Sequence, residues 1–367
     1  MPTINYWAFF YKECIILIQQ LMPGYVVALR TTFFHRHIKK NKKMKIFSTR
    51  AIPSIGLKLF ADAGHTVTQH TERRELAQPE LIAACKEHDA LLSAGPNKLD
   101  AFFLQECRHL KAITLLSVGY DNVDMAEAAK LKMPIGNTPG VLSGATADTA
   151  FLLMLAVSRK AFYLSNTIAK GDWGFYGPMD NLGIELNGKT LGIFGLGRIG
   201  IELARKCAAA YNMKVIYHNR NRNEAAEKEV AAKYVSFDEL LQQSDVLSAH
   251  ANLSPETKGI FKKETFSKMK PSAIFINTAR GAMHNEQHLI EALQQKNIWG
   301  AGLDVTNPEP MEKDNILLSM PSVCVLPHVG SGTVETRDAM TIIAAKNIIA
   351  GLNGQQMEHA INPEVYQ

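Results

Sequence analysis

The sequence predicts an α/β protein with two parallel-sheet domains, and three observations carry that expectation. The stretch Lys189-Thr-Leu-Gly-Ile-Phe-Gly-Leu-Gly-Arg-Ile-Gly200 reads as a buried strand, a glycine turn and the first turn of a helix. Short apolar runs alternate with helical segments on both sides of it. With 367 residues, 46% of them hydrophobic, the chain can bury a large core and is expected to divide into two domains.

Residues 1–43 share no periodicity and hold seven Lys or Arg against one Glu, including the cluster His35-Arg-His-Ile-Lys-Lys-Asn-Lys-Lys43. They are expected to be an unstructured extension. Met44 is expected to be the natural start and the preceding residues an over-extended reading frame, with a targeting segment as the alternative. The extension's net +6 accounts for the formal +5 of the whole and leaves −1 for the remainder. A nearly neutral body gives no reason to expect a nucleic-acid or membrane partner. The best membrane candidate, Cys14 to Leu29, is broken by Gln19-Gln20 and Pro23-Gly24. Five cysteines without CxxC spacing argue against zinc or a disulfide framework, no metal is expected, and a cytoplasmic location is.

From Met44 the elements follow in order. Strands are expected at Met44 to Thr49, His65 to Thr68, Ala90 to Ser93 and Ala112 to Leu116, with helices at Gly56 to Ala63, near 79–87 and near 99–106. One long apolar-rich helix, Ala145 to Lys170, is expected to link the domains, followed by a loop with Gly171, Gly174, Gly177 and Pro178. Six strands then make a dinucleotide domain: the one before Gly195, then Lys214 to Tyr217, Asp245 to Ser248, Ala273 to Ile276, Gly300 to Leu303 and Val323 to Leu326. The last helix, Thr333 to Leu352, and the Ile361-Asn-Pro363 tail are expected to return to the first domain. The domains are thus 44–140 plus 332–367 for substrate and 141–331 for cofactor.

The glycine turn is a site for a dinucleotide. Gly195 permits the tight turn, Gly197 leaves room for a pyrophosphate, and Gly200 lets the helix pack on the strand, with the free N–H groups of the helix start facing the phosphates. NAD sites place an acid at the end of the second strand to bind the ribose 2′-hydroxyl. Here neutral Asn219 is followed by Arg220 and Arg222, so NADPH is expected over NADH.

Three polar residues follow successive strands of this domain: Arg280 in Asn277-Thr-Ala-Arg-Gly281, Glu309 in Asp304-Val-Thr-Asn-Pro-Glu-Pro310, and His328 in Leu326-Pro-His-Val-Gly330. Strand carboxyl ends are where open α/β sheets bind ligands. An Arg that grips a carboxylate and polarises the adjacent carbonyl, a His that supplies a proton and a Glu that orients the His form a minimal kit for reducing a 2-keto acid.

With these motifs together, the chain resembles the D-isomer-specific 2-hydroxyacid dehydrogenase family over residues 44–367. Ser117-Val-Gly-Tyr-Asp-Asn-Val-Asp124 is similar to the family's substrate loop and Ser254-Pro-Glu-Thr257 to a cofactor-facing loop. The resemblance implies two similar doubly wound parallel-sheet domains around a cleft, a Rossmann cofactor domain and a flavodoxin-like substrate domain, in a homodimer joined near the linking helix. It carries over Arg280, Glu309 and His328 as catalytic, and Val118 and Gly119 as N–H donors to the substrate carboxylate. It sets Gly195, Leu196, Gly197, Arg198, Ile199, Gly200, Asn219, Arg220, Arg222, Thr278, Ala279, Asp304, His328 and Gly330 against the cofactor, Asp304 facing the nicotinamide amide. Gly144 stands where relatives often carry an acid and is expected to loosen the helix start.

The loop Ser93-Ala-Gly-Pro-Asn97 has only Lys98 as a nearby cation, which disfavours phosphorylated substrates, and the Glu309–His328 pairing disfavours formate oxidation. Glyoxylate and hydroxypyruvate are the expected substrates, a 2-ketogluconate-like sugar acid the next choice. The family resemblance also extends to non-catalytic dinucleotide sensors, the alternative of another class.

Overall fold

The structure is a computed structural model that describes residues 42–367. The expectations for the extension and for the Cys14 to Leu29 run fall outside the described residues.

The first sheet contains β1 (Lys45–Ser48), β2 (Thr66–Gln69), β3 (Ala90–Ser93), β4 (Ala112–Leu115) and β5 (Ile135–Gly136), joined by α1 (Ser54–Asp62), α2 (Gln78–Lys86), α3 (Ala101–Glu106) and α4 (Met125–Lys130). Its order is β2-β1-β3-β4-β5, all parallel. After α5 (Ser143–Ser158) and α6 (Ala161–Ala169) comes a second sheet of seven strands: β6 (Thr190–Phe194), β7 (Lys214–His218), β8 (Lys233–Tyr234), β9 (Val246–Ala249), β10 (Ile274–Asn277), β11 (Gly300–Leu303) and β12 (Val323–Val325). Its helices are α7 (Arg198–Tyr211), α8 (Glu224–Val230), α9 (Phe237–Gln243), α10 (Lys263–Phe266) and α11 (Glu286–Gln294). The order β12-β11-β10-β9-β6-β7-β8 is parallel throughout, and it reverses beside β6, where the glycine turn lies. Both lobes are therefore doubly wound, the first in the flavodoxin-like order and the second in the Rossmann order.

Parallel strands buried on both faces need continuous apolar runs, and β3, β4, β9, β10 and β11 are buried at every residue. Each sheet sits between two apolar clusters. Side chains end several helices as the sequence dictates: Asp100, Asp124, Asn223, Ser236 and Asn285 each accept a backbone N–H at a helix start. The last helix, α12 (Val334–Leu352), capped by Thr333, packs on α1 and on β3 and β4 of the first sheet.

The structure differs from expectation in three places. The single linking helix is two, because Lys160 adopts φ 54° and turns the chain between α5 and α6. The second sheet has seven strands and the first has five, since β8 and β5 add two-residue edges held by pairing with β7 and β4. Gly144 sits within α5, which begins at Ser143 without a side-chain cap, and a methyl there would meet nothing. The chain passes between lobes before α5 and again before α12. The second passage packs on the start of α5, for a Cβ on Gly330 would come within 3.3 Å of Thr146. Among the described residues no helix is long and apolar enough to cross a membrane.

Candidate active site

The glycine turn has the form its sequence demands. Gly195 holds φ 101°, and a side chain there would come within 2.7 Å of Ala251 Cα, so only glycine suits the position. A Cβ on Gly200 would lie 2.9 Å from Gly195 O, whereas Gly197 faces open space. The backbone N–H groups of Arg198, Ile199 and Gly200 have no acceptor among the described residues. A 14-residue helix whose first N–H groups face an open glycine cradle fits a pyrophosphate.

At the end of β7 the arrangement is more committed than the sequence suggests. Asn219 turns its Oδ1 to the Leu196 N–H at 2.7 Å and braces the glycine turn instead of standing free for a ribose. Arg222 forks onto Glu227 through Nε and Nη2 at 2.7 and 2.8 Å, and Tyr217 donates to the same carboxylate. That doubly bonded carboxyl is held down to about 2 by Arg222 first and Tyr217 second. Arg220 is exposed, with no ion pair among the described residues.

Arg280 is positioned by the residues around it. Buried Asn277 accepts the Ala279 N–H at 3.0 Å and donates to Arg280 O at 2.9 Å, which fixes the turn after β10. Gly281 follows because any Cβ there would run into the Thr306 backbone. Thr278 lies in the same turn, its Oγ1 3.3 Å from Nδ1 of His250, a ring whose burial pushes it down to about 4. The Arg280 side chain crosses to the first lobe, where Nε donates to Asp121 Oδ1 at 2.9 Å and Nη2 lies over the backbone of Gly119.

The loop it meets is organised to leave amides free. The Ser117, Val118 and Gly119 carbonyls accept from Thr138, Asn137 and the Ser117 hydroxyl, at 3.1, 2.9 and 2.8 Å. The N–H groups of Val118 and Gly119 have no acceptor among the described residues. Two free amides beside a guanidinium form a seat for a carboxylate.

His328 and Glu309 are brought together as paired residues. Nδ1 of the ring lies 2.6 Å from Glu309 Oε1, and both side chains are about half exposed. Burial pushes the Glu309 carboxyl upward, but the hydrogen bond and charge of His328, the Thr306 N–H and the charge of Arg280 outweigh it and hold the group below the ordinary carboxylate range. His328 adopts φ 54°, a left-handed conformation that costs a non-glycine residue about 1 kcal/mol or more. Asp304 holds it there: its carbonyl accepts the His328 N–H at 2.8 Å, and its carboxylate oxygens accept from Val329 and Gly330, each at 2.8 Å. The Asp304 side chain, expected to face the nicotinamide, is thus engaged by the backbone of Val329 and Gly330. Burial raises its carboxyl against those two N–H groups.

Two residues escaped the sequence reading. Asp121 lies within the quoted substrate loop, but its partner is 159 residues away. Arg50, just beyond β1, brings Nη2 within 3.5 Å of where a Cβ on Gly95 would stand, and it is held by Glu75 at 2.5 Å. A cation therefore does reach the Ser93–Asn97 loop, and it is not Lys98, whose ammonium pairs with Asp100 at 3.1 Å on a largely exposed side chain. Among the described residues no group of three or more His, Cys, Asp or Glu side chains could hold a metal ion.

A Rossmann sheet with an open glycine cradle, facing a smaller parallel sheet across an Arg, Glu and His constellation, defines a two-lobed NAD(P)-dependent oxidoreductase. The chain belongs to the D-isomer-specific 2-hydroxyacid dehydrogenase family: residues 151–330 match its NAD-binding domain, and full-length relatives align. A glyoxylate reductase of Thermococcus litoralis is 40% identical over 328 residues, 88% of this chain and 98% of that protein. A glyoxylate/hydroxypyruvate reductase B of Yersinia pestis is 39% identical over 288 residues, 78% of this chain and 88% of its own length. Among solved structures, a protein from Thermus thermophilus superposes with a TM-score of 0.81 at 35% identity, covering 87% of this chain and all of that one. An NADPH-dependent glyoxylate/hydroxypyruvate reductase from Sinorhizobium meliloti, solved with NADP and malonate, gives 0.77 at 28% identity, covering 89% of this chain and 98% of that one.

Proposed function

We propose that the protein is an NADPH-preferring reductase of small 2-keto acids, turning glyoxylate or hydroxypyruvate into glycolate or D-glycerate. The observation that carries this reading is the 2.6 Å His328–Glu309 pair set in the same cleft as Arg280 and the free Val118 and Gly119 amides. The names of the relatives favour the same substrates. The lobe of residues 44–140 with 332–367 holds the substrate, and that of 141–331 the cofactor.

The amides of Val118 and Gly119 and the guanidinium of Arg280 seat the substrate carboxylate, and Arg280 polarises the neighbouring carbonyl. With Nδ1–H donated to Glu309, the proton on Nε2 of His328 passes to the carbonyl oxygen, and Glu309 stabilises the imidazolium before the transfer. The reduced nicotinamide, when bound, supplies the hydride that the carbonyl carbon accepts. The N–H groups of Arg198, Ile199 and Gly200 would hold its pyrophosphate, and Arg220 would hold the 2′-phosphate. His328 and Gly330, braced by Asp304, line the nicotinamide end, with Thr278 and Ala279 on the neighbouring turn.

The working unit is a homodimer. Trp173, Phe175, Tyr176 and Met179 are each more than 70% exposed, and Ile168 of α6 and Leu152 of α5 are about half exposed, apolar surface that a second copy would cover. Purified protein mixed with NADPH and a panel of 2-keto acids tests the activity through loss of the reduced-nicotinamide absorbance. Turnover of glyoxylate or hydroxypyruvate with the highest kcat/KM is expected. No turnover of any acid would leave the dinucleotide-sensing alternative in place.

A further inference from the structure

Of the five N–H groups of a guanidinium, the structure assigns two of Arg280's before any substrate arrives. Nε donates to Asp121 at 2.9 Å, and Nη1 donates to Ala279 O at 2.8 Å. The remaining three N–H groups are on the terminal nitrogens, and Nη2 lies over Gly119, beside the free amides. An arginine can meet a carboxylate side-on through Nε and Nη, or end-on through its two Nη atoms. With Nε taken, only the end-on approach is open.

We propose that Asp121 is a positioning residue for the 2-keto acid reaction: from the opposite lobe it occupies Nε of Arg280 and so presents the terminal edge of the guanidinium to the substrate carboxylate. This rests on the reductase reading given above. Asp121 can hold a fixed position because its turn is braced. Asn122 donates to Asn97 O at 2.7 Å, Val123 N–H to Tyr120 O at 3.0 Å, and Asp124 caps α4. Stability gives no competing reason for the pair. Both side chains are 30% exposed, and partly solvated ion pairs contribute about 1 kcal/mol or less.

Asp121 also sets a limit on binding, because its charge lies on the same guanidinium that the substrate carboxylate must reach. Replacing it with Asn keeps an acceptor for Nε and removes that repulsion, whereas Ala removes both. The two substitutions therefore separate orientation from charge.

The test uses the whole protein with glyoxylate and NADPH. Asp121→Ala is expected to lower kcat/KM roughly 10- to 100-fold, the range for a misplacement near 1 Å, with NADPH affinity and Tm close to wild type. Asp121→Asn should recover most of that loss. Arg280→Lys has no Nε fork to orient, so adding Asp121→Ala to it should cost no more than about threefold further. Affinity for oxamate, a non-reducible isostere, should follow the same order when read by quenching of bound NADPH fluorescence.

A merely structural Asp121 would lower Tm and NADPH affinity and would multiply its effect with that of Arg280→Lys. Full multiplication, an Asn variant as weak as the Ala variant, or an Ala variant with wild-type kcat/KM overturns the proposal. A wild-type protein that reduces no keto acid removes the reductase reading and this proposal together. An active wild type beside an indifferent Asp121→Ala removes this proposal alone.

Discussion

Gly119→Ala isolates the contact between the lobes. Gly119 is not in the left-handed region, so alanine is acceptable to the backbone, and a Gly-to-Ala change at such a site stabilises by about 0.4–1 kcal/mol through the unfolded chain. The added methyl would overlap Nη2 of Arg280 and stand 2.7 Å from its Cζ, where ordinary contact begins at 3.4 Å. The guanidinium must therefore retreat by about 0.7 Å or more, and a displacement near 1 Å at a reacting group costs on the order of 100-fold. Asp121 Oδ1 lies 3.1 Å from the same methyl, so the arginine cannot follow its partner without crowding. The expected outcome is a kcat/KM for glyoxylate lowered about 100-fold, with unchanged NADPH affinity and a Tm equal to or slightly above wild type. Steady-state rates, NADPH titration and thermal unfolding on one preparation check it. A Gly119→Ala protein with wild-type kcat/KM would refute the placement of Arg280 over this loop.

Further expectations follow from the other contacts. Glu309→Gln keeps a partner for His328 Nδ1 but removes the carboxylate charge beside the ring that gives up the proton, so kcat for reduction should fall with NADPH affinity unchanged; an unaltered kcat, with chemistry rate-limiting, contradicts the pairing. Asn219→Asp with Arg220→Ala should reverse the preference for NADPH. Asp can still accept the Leu196 N–H, while Arg222→Ala alone should change the kcat/KM ratio little because Glu227 already holds that guanidinium. His250 and His284 are pushed by burial from 6.5 to about 4 in the folded protein. Unfolded chains therefore take up protons first, and the stability present above pH 6.5 is lost as pH falls toward 4. Each ring should cost about 2 kcal/mol at pH 5, so urea midpoints should fall between pH 7 and pH 5, and His284→Phe should remove about half of the pH dependence.

Much of the fold could be read because its signals are local. Gly195 needs a positive φ, the buried parallel strands need unbroken apolar runs, and Arg280, Glu309 and His328 lie in the loops that follow such runs. The break at Lys160 was not legible, since Arg159-Lys160 contains neither Gly nor Pro and apolar residues continue on both sides. The two-residue strands β5 and β8 exist only through their neighbours, Ile135 opposite Ile113 and Tyr234 opposite Tyr217. The side chains at the end of β7 misled in a related way. Asn219 bonds a residue 23 positions earlier, a tertiary contact with no trace in spacing, whereas Glu227, five residues after Arg222 near the start of a helix, was a visible clue to that pair. Arg50 went unseen because it comes to the Ser93–Asn97 loop from a neighbouring strand.

The start of α5 at Thr146 and the chain at Gly330, adjacent to each other where the chain passes between the lobes, would act as the pins of a door in any rotation of one lobe on the other. Two pins define an axis, and points on a rotating body move in proportion to their lever arm. His328 is two residues from one pin, and Asn137 and Thr138, which hold the Val118 and Ser117 carbonyls, lie on the chain leading to the other. In such a rotation the proton donor and the carboxylate seat, each carried by chain next to a pin, would have short lever arms. A door hung there would change the opening at its outer edge most and the spacing at its jamb, where tolerance is smallest, least.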